Sequence, residues 1–215
     1  MVRSADLLVY LDDVQFTRRD WRNRNLIASS GGPKWLTIPL QNSGNYYSRV
    51  NEMRCSEREW WRSHLSLLDN SYGDLEEYKV LRRELSAVLK SVDNVHSLSE
   101  INRIINKWVF SVLGITAKTM DSRDFPSRHR KSERLVEICK SIGVTEYVSG
   151  PAARDYLDED LFAKNSITVH WADYGRLPSL SQAAAHDREL SILHHLATVG
   201  RPETVRLSTF VPTGP

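Results

Sequence analysis

Along this chain short apolar runs alternate with polar loops, and between them lie longer stretches in which apolar residues recur every three or four positions. Residues 7–11, LLVYL, are too few for a helix that must pack, so they read as a buried strand that delivers Asp12 and Asp13 to a polar loop. Residues 25–29 and 34–40 flank Ser30-Gly31-Gly32-Pro33, turn chemistry that joins two extended pieces into a β-hairpin. Three helical patterns follow. The first, 56–72, opens on Ser56 with Glu59 three residues later, a capping-box spacing, and puts Trp60, Trp61, His64, Leu65, Leu68 and Tyr72 on one face. The second spans 74–92; the third spans 97–113, boxed by Ser97 and Glu100 and closed by Gly114.

Beyond Gly114 the pattern becomes strand and helix in turn. A strand over 115–120 leads into a basic loop, 122–131, then a helix over 132–142 and a strand over 146–148. The turn 149–151 opens a helix running to about 162, followed by a strand over 167–171 and a last helix over 187–199. This order predicts an α/β domain with a mainly parallel, twisted sheet, an N-terminal β-hairpin and a helical insertion over about 56–113, the chain 1–215 forming one domain. Such sheets bind ligands beyond the carboxyl ends of their strands. That rule would gather Asp12 and Asp13, the basic loop, the Ser149-Gly150-Pro151 turn, and Asp173 with Tyr174 around one crevice.

The composition is that of a globular chain long enough for one substantial core. A formal net charge of +2, with acids interspersed among the bases, does not imply nucleic acid. Nothing approaches the ~20 apolar residues of a membrane span and no signal peptide opens the sequence, so the expected compartment is the cytoplasm, with no membrane partner. Cys55 and Cys139 match no zinc or redox spacing and read as reduced structural residues.

The densest chemistry lies in residues 10–25, YLDDVQFTRRDWRNRN. Carboxylates, a planar amide and guanidinium forks at a strand end suit a polar, anionic ligand; mutually neutralising surface charge is the alternative. His64, among tryptophans on a core-facing helix, reads either as a general acid or base or as a hydrogen-bonded core residue. Pro151 suits a first helical turn and Gly150 a close backbone approach, which would leave free amides beside Ser149. Gly31-Gly32 has neither a following Lys-Ser/Thr nor a helix start and reads as a simple turn. Tyr46 and Tyr47 sit in a polar loop, where they would close over a ligand or cover the hairpin. His194-His195, with His186 and Glu189 upstream, lacks a third ligand at metal spacing, so no metal site is assigned.

LDDVQFTRRDWRNRN followed by GPKWLTIPL resembles the opening block of the WbqC-like protein family. WWRSHLSLLDNSYGDLEEY, SERLVEICKSIGVTEYVSGPAARDYLDEDLF and LSILHHLATVG match further blocks, in order, across nearly the whole chain. The strand–helix order is expected to build a Rossmann-like three-layer domain, and the resemblance implies association with bacterial surface-polysaccharide, O-antigen or specialised-metabolite biosynthesis. Carried over by position, the polar residues are Asp12, Asp13, Gln15, Arg22, Asn23, Arg24, His64, Glu133, Arg134, Ser149, Asp155 and Tyr156. Two departures are notable. Family members usually open with an aromatic and proline-containing segment and a helix ahead of the Asp-Asp strand, so either a start upstream of Met1 or a lost wall of the site is expected; LPSLSQAAAHDREL also replaces a segment usually richer in aromatics and proline.

The leading expectation is a transferase that places an acyl or aminoacyl group on an amine of a sugar or nucleotide-linked sugar. His64, Asp13 and Asp12 are its catalytic candidates. Gln15, Arg22, Asn23, Arg24, Glu133, Arg134, Ser149, Gly150, Asp155 and Tyr156 are its ligand-binding candidates, and an activated acyl or aminoacyl donor is the implied partner. No cofactor is specified. The alternative is a non-catalytic sugar-nucleotide binding protein of the same pathway. A nucleotidyl-transferring enzyme is a third reading, for which the sequence has no glycine-rich fingerprint.

Overall fold

The computed structural model describes residues 1–18, 21–41, 47–173 and 190–201, and over them the chain is a mixed α/β protein with six α-helices and small parallel and antiparallel sheets. It divides into two compact units. One holds the described residues of Met1–Leu11 and Ile115–Pro178; the other holds those of Asp12–Gly114 and Ser179–Val205.

In the first unit β1 (Leu7–Tyr10) pairs in parallel with β4 (Lys118–Asp121), Leu7 opposite Lys118 and Tyr10 opposite Asp121. Strand β5 (Glu146–Ser149) pairs in parallel with β6 (Thr168–Trp171). Helix α4 (Lys131–Ile142) joins β4 to β5, and the short α5 (Glu159–Lys164) joins β5 to β6. Gly143 ends α4 at φ +77, a left-handed conformation that a residue without Cβ adopts at little cost. The core of this unit is Val136, Cys139, Ala153, Leu157, Phe162, Ile167 and Trp171.

The expected broad parallel sheet is here a pair of two-stranded ladders. A central parallel strand is covered on both faces, yet all four residues of β1, an unbroken apolar run, are only half-buried. Beside β1 lies a cavity of about 500 Å³ lined also by α4 and β5, and among the described residues no strand bridges β1 and β5. The helix expected to run from the Ser149 turn to 162 is also interrupted. Pro151–Ala153 form a single 3-10 turn, and α5 starts only after Asp158, whose carboxylate caps the Leu161 N–H at 3.0 Å. The Asp158 N–H goes instead to Ser132 Oγ at 3.0 Å, so a side-chain cap and a tertiary bond outcompete helical continuity.

In the second unit β2 (Arg24–Ile27) and β3 (Lys34–Thr37) form the predicted antiparallel hairpin, with Arg24 opposite Thr37 and Leu26 opposite Trp35. Its turn closes with the Gly32 N–H on the Ser29 carbonyl, Gly32 standing at φ +95. The alternation sends Ile27 and Leu36 into the core. There they meet α1 (Trp60–Tyr72), α2 (Glu76–Ser91), α3 (Leu98–Val112) and α6 (Ile192–Val199). Helix α1 buries Trp60, Trp61, Leu65, Leu68 and Tyr72, the face its spacing predicts.

Helix α1 does not start at Ser56. The Ser56 N–H pairs with the Pro39 carbonyl, and Glu59 takes the left-handed region at φ 56 immediately before Trp60. The carboxylate of Asp93, from beyond α2, accepts both the Glu59 N–H at 2.7 Å and the Trp61 Nε1–H at 2.9 Å. The helix entrance is thus set by a residue distant in sequence. For the last helix, residues 187–189 of the expected span lie outside the described residues, and α6 begins at Ile192 with Ser191 as its cap.

Tyr72 locks this unit together. Its hydroxyl accepts the Ala28 N–H at 2.9 Å and lies 3.1 Å from His194 Nδ1. The hydroxyl and the ring thus share one buried hydrogen bond across 122 positions of the chain. Burial pushes the Tyr72 hydroxyl up to about 12, so it remains a donor throughout the working pH range. Tyr72→Phe strands both partners and is expected to cost about 1–3 kcal/mol, read from urea denaturation.

Candidate functional site

The hairpin, α1 and α3 enclose a cavity of about 350 Å³ in the second unit. The loop into β2 and its first residue supply Trp21, Arg22, Asn23 and Arg24; α1 supplies Trp60, His64 and Leu68; α3 supplies Asn102, Ile105, Asn106 and Val109. Leu85 and Leu89 of α2, and Ser191, Ile192 and Leu193 at the start of α6, also line it. Apolar walls with a few converging polar groups are the usual form of a small-molecule site.

The wall is held in place by amides. Asn23 Nδ2 donates to the Ile38 carbonyl at 3.0 Å, and Asn102 Nδ2 donates to the Arg22 carbonyl at 2.8 Å, fixing the loop against β3 and α3. Arg24, which lines the cavity, places its guanidinium over Trp35 with Cζ 4.0 Å from the ring centroid, a cation–π contact.

His64 is a titratable group of this cavity, and a hydrogen bond orients it. Its Nε2 lies 3.0 Å from the Thr37 carbonyl, and because a carbonyl only accepts, Nε2 carries the proton. Nδ1 then bears the lone pair of the neutral ring. Trp60 packs edge-on at 4.8 Å, and burial lowers the His64 pKa below its ordinary value, the bond to Thr37 partly opposing. The ring is therefore a neutral base at pH 7.

The other catalytic candidates sit elsewhere in the unit. Asp12 and Asp13 do not line the cavity. Arg103 Nη2 of α3 binds Asp12 Oδ2 at 2.8 Å, and the Asp12 carbonyl accepts the Asn51 N–H at 2.8 Å. The Asp12 carboxylate thus ties its own loop to α3. Gln15 pairs with Arg49 in a short antiparallel bridge, flanked by bonds from the Phe16 N–H to the Ser48 carbonyl and from the Val50 N–H to the Val14 carbonyl. The dense polar stretch is thus partly wired into the fold and partly presented to the cavity.

Glu133, Arg134, Ser149, Gly150, Asp155 and Tyr156 belong to the first unit. Glu133 is exposed in the first turn of α4, Arg134 Nη2 donates to the Ser122 carbonyl at 3.2 Å, and Ser149 is buried with its carbonyl accepting the Ala172 N–H at 2.9 Å. Asp155 and Tyr156 are exposed. The amides after Gly150 do not form a helix end as expected: the Ala153 N–H closes back on the Gly150 carbonyl at 3.1 Å. The basic loop is held by α4: Glu137 accepts from Ser127 Oγ and from His129 Nδ1.

Both thiols are buried, and burial raises both, Cys139 to about 11, which keeps them protonated and poorly nucleophilic. Among the described residues no three His, Cys, Asp or Glu side chains group to hold a metal ion; His186, Glu189, Tyr46 and Tyr174 lie outside them. Trp35, Asn102 and Asn106 were not among the expected site residues. Asn102 and Asn106, one helical turn apart on a face shared with Ile105 and Val109, are the signal that could have marked α3 as a wall.

This is a mixed α/β protein with a half-open, arginine- and tryptophan-rimmed cavity around a neutral histidine. The chain belongs to the WbqC-like protein family, whose model matches residues 1–206. It is 33% identical over 201 residues to the uncharacterized protein Rv1507c of Mycobacterium tuberculosis, covering 93% of this chain and 87% of that protein. No solved structure matches. Among the described residues no helix is long and apolar enough to cross a membrane.

Proposed function

We propose that this protein is a transferase that places an acyl or aminoacyl group on an amine of a sugar or nucleotide-linked sugar, in bacterial polysaccharide or specialised-metabolite biosynthesis in the cytoplasm. The observation that carries the reading is His64, held through Nε2–H by Thr37 and lining a cavity that Arg22 and Arg24 also line. The amine lone pair attacks the carbonyl carbon of the donor, His64 Nδ1 takes the proton released from nitrogen, and the activating group departs with the bonding electron pair. With both thiols buried and protonated, direct attack needs no acyl-enzyme. Arg22 and Arg24 supply the charge that would hold a phosphate or carboxylate. Asp12 acts through Arg103 as a positioning residue, and Gln15 supports the same loop through Arg49; Asp13 is kept as a catalytic candidate outside the cavity lining. In the first unit, taken by itself, Glu133, Arg134, Ser149, Gly150, Asp155 and Tyr156 are the proposed ligand-binding residues of a Rossmann-like three-layer arrangement, for which the strand–helix–strand order from β4 to β6 is the support.

The test is incubation of amino-sugar and nucleotide-linked amino-sugar panels with activated acyl and aminoacyl donors, with mass spectrometry for the N-acyl product. Because protonation of His64 is suppressed by burial, the acid limb of the rate profile should fall below pH 6.5, the ordinary histidine value. An acid limb above that value, or no product with any pair, removes the assignment. A binding protein of the same pathway is the second reading, favoured by the structural use of Asp12, Asn23 and Asn102. Calorimetric binding of a nucleotide sugar without turnover, unchanged in His64→Gln, would establish it.

A further inference from the structure

Beside the cavity the hairpin exposes an aromatic surface that neither the core nor the proton transfer requires. Trp21 is 50% and Trp35 40% exposed, large areas of indole left in water on adjoining elements. Their ring centroids are 5.1 Å apart and their planes are inclined by 51°. Arg24 lies over Trp35, so a cation is held against the same platform, and Trp21 and Arg24 also line the cavity with His64. The register explains the grouping. Arg24 is opposite Thr37 and Leu26 opposite Trp35, which puts Arg24, Trp35 and Thr37 on one face of the hairpin. The Thr37 carbonyl holds His64, so β3 joins platform and base in one rigid element.

We infer that Trp21, Trp35 and Arg24 form the subsite for a pyranose ring carrying a phosphate, so that the protein reads a nucleotide-linked sugar at its sugar-phosphate end rather than at its base. This rests on the proposed transfer to an amino sugar and names the part of the substrate recognised.

The inclination of the indoles decides between ring types. A flat base sandwiched between aromatics needs near-parallel faces, and these two rings, 5.1 Å apart and tilted, leave no such slot. A puckered ring lays the C–H face of one side on a single indole and meets the second along its edge. The Arg24 guanidinium, its Cζ 4.0 Å from the Trp35 ring centroid, puts a positive charge beside that ring for the attached phosphate. Asn102, whose Nδ2 is spent on the Arg22 carbonyl, presents Oδ1 as an acceptor for a sugar hydroxyl or amine.

The test is saturation-transfer NMR on the full chain with glucosamine 1-phosphate, UDP-glucosamine and UDP, combined with calorimetry on Trp21→Ala and Arg24→Met. The expected result is stronger saturation of the pyranose protons than of the uracil protons. Trp21→Ala should weaken both sugar phosphates about tenfold or more and leave UDP unaffected. Trp35→Phe, which keeps an aromatic face in the strand, should weaken them less and guards against loss of the hairpin. Strongest saturation on uracil, a change under about twofold in Trp21→Ala, or no binding of either sugar phosphate overturns the inference. Failure of the transferase reading looks different: sugar phosphates bind and lose affinity in Trp21→Ala, yet no acyl product forms.

Discussion

His64→Ala is expected to reduce N-acyl transfer by about 10²–10⁴-fold, the range that a positioned general base contributes, with little change in binding of the amino sugar. The effect is large because the geometry leaves one role to the ring: Nε2–H is committed to Thr37, burial keeps the ring neutral, and Nδ1 is the basic atom. Two substitutions separate chemistry from support. Glutamine at position 64 can still donate an N–H to the Thr37 carbonyl but brings no imidazole base, so His64→Gln should preserve the urea midpoint and lose turnover as His64→Ala does. Asp13→Asn, on a residue outside the cavity lining, should reduce turnover far less. A loss of less than about tenfold in both His64 variants, with folding intact, would take catalysis away from this residue.

Phe162→Ala is expected to remove about 3–5 kcal/mol from the stability of the first unit, a large share of the roughly 5–15 kcal/mol that holds a typical domain folded. Phe162 is completely buried on the short α5 and packs on Tyr147 of β5 at 5.0 Å between ring centroids. A helix of this length owes its order to the packing of its apolar side rather than to its own hydrogen bonds. Urea denaturation gives the loss, and hydrogen exchange places it: β5 and β6 amides should exchange faster while α1 and α3 keep their protection. Phe162→Leu, which keeps most of the volume, should recover most of the stability. A loss under about 1 kcal/mol in Phe162→Ala would show that this core repacks around the gap.

The elements whose signal is local were legible in the chain. The hairpin followed from Ser30-Gly31-Gly32-Pro33 between apolar runs, and the buried face of α1 from apolar residues three and four apart. The order of strands and helices after Gly114 was read correctly, with parallel pairing in both ladders. Boundaries set by distant residues were not legible. Ser56 and Glu59 had the spacing of a capping box, but Asp93 supplied the acceptors and moved the start of α1 to Trp60. The Ser149 turn read as a helix start, yet Asp158 and its bond to Ser132 cut the helix in two.

The same division holds for the site. Sequence alone determined the kinds of residue concentrated after β1, the amphipathic helices and the membership of a family, because composition, periodicity and ordered motifs are properties of neighbouring positions. Tertiary structure decided what each residue does. From one polar stretch it sent Asp12 to Arg103 and Gln15 to Arg49, and it brought Arg22, Asn23 and Arg24 to a cavity with His64, 40 positions beyond Arg24. Hydrogen bonds and stacking between residues far apart in sequence made those assignments, since the Thr37 carbonyl beside His64 and the Trp35 face beneath Arg24 exist as partners only once the hairpin has formed.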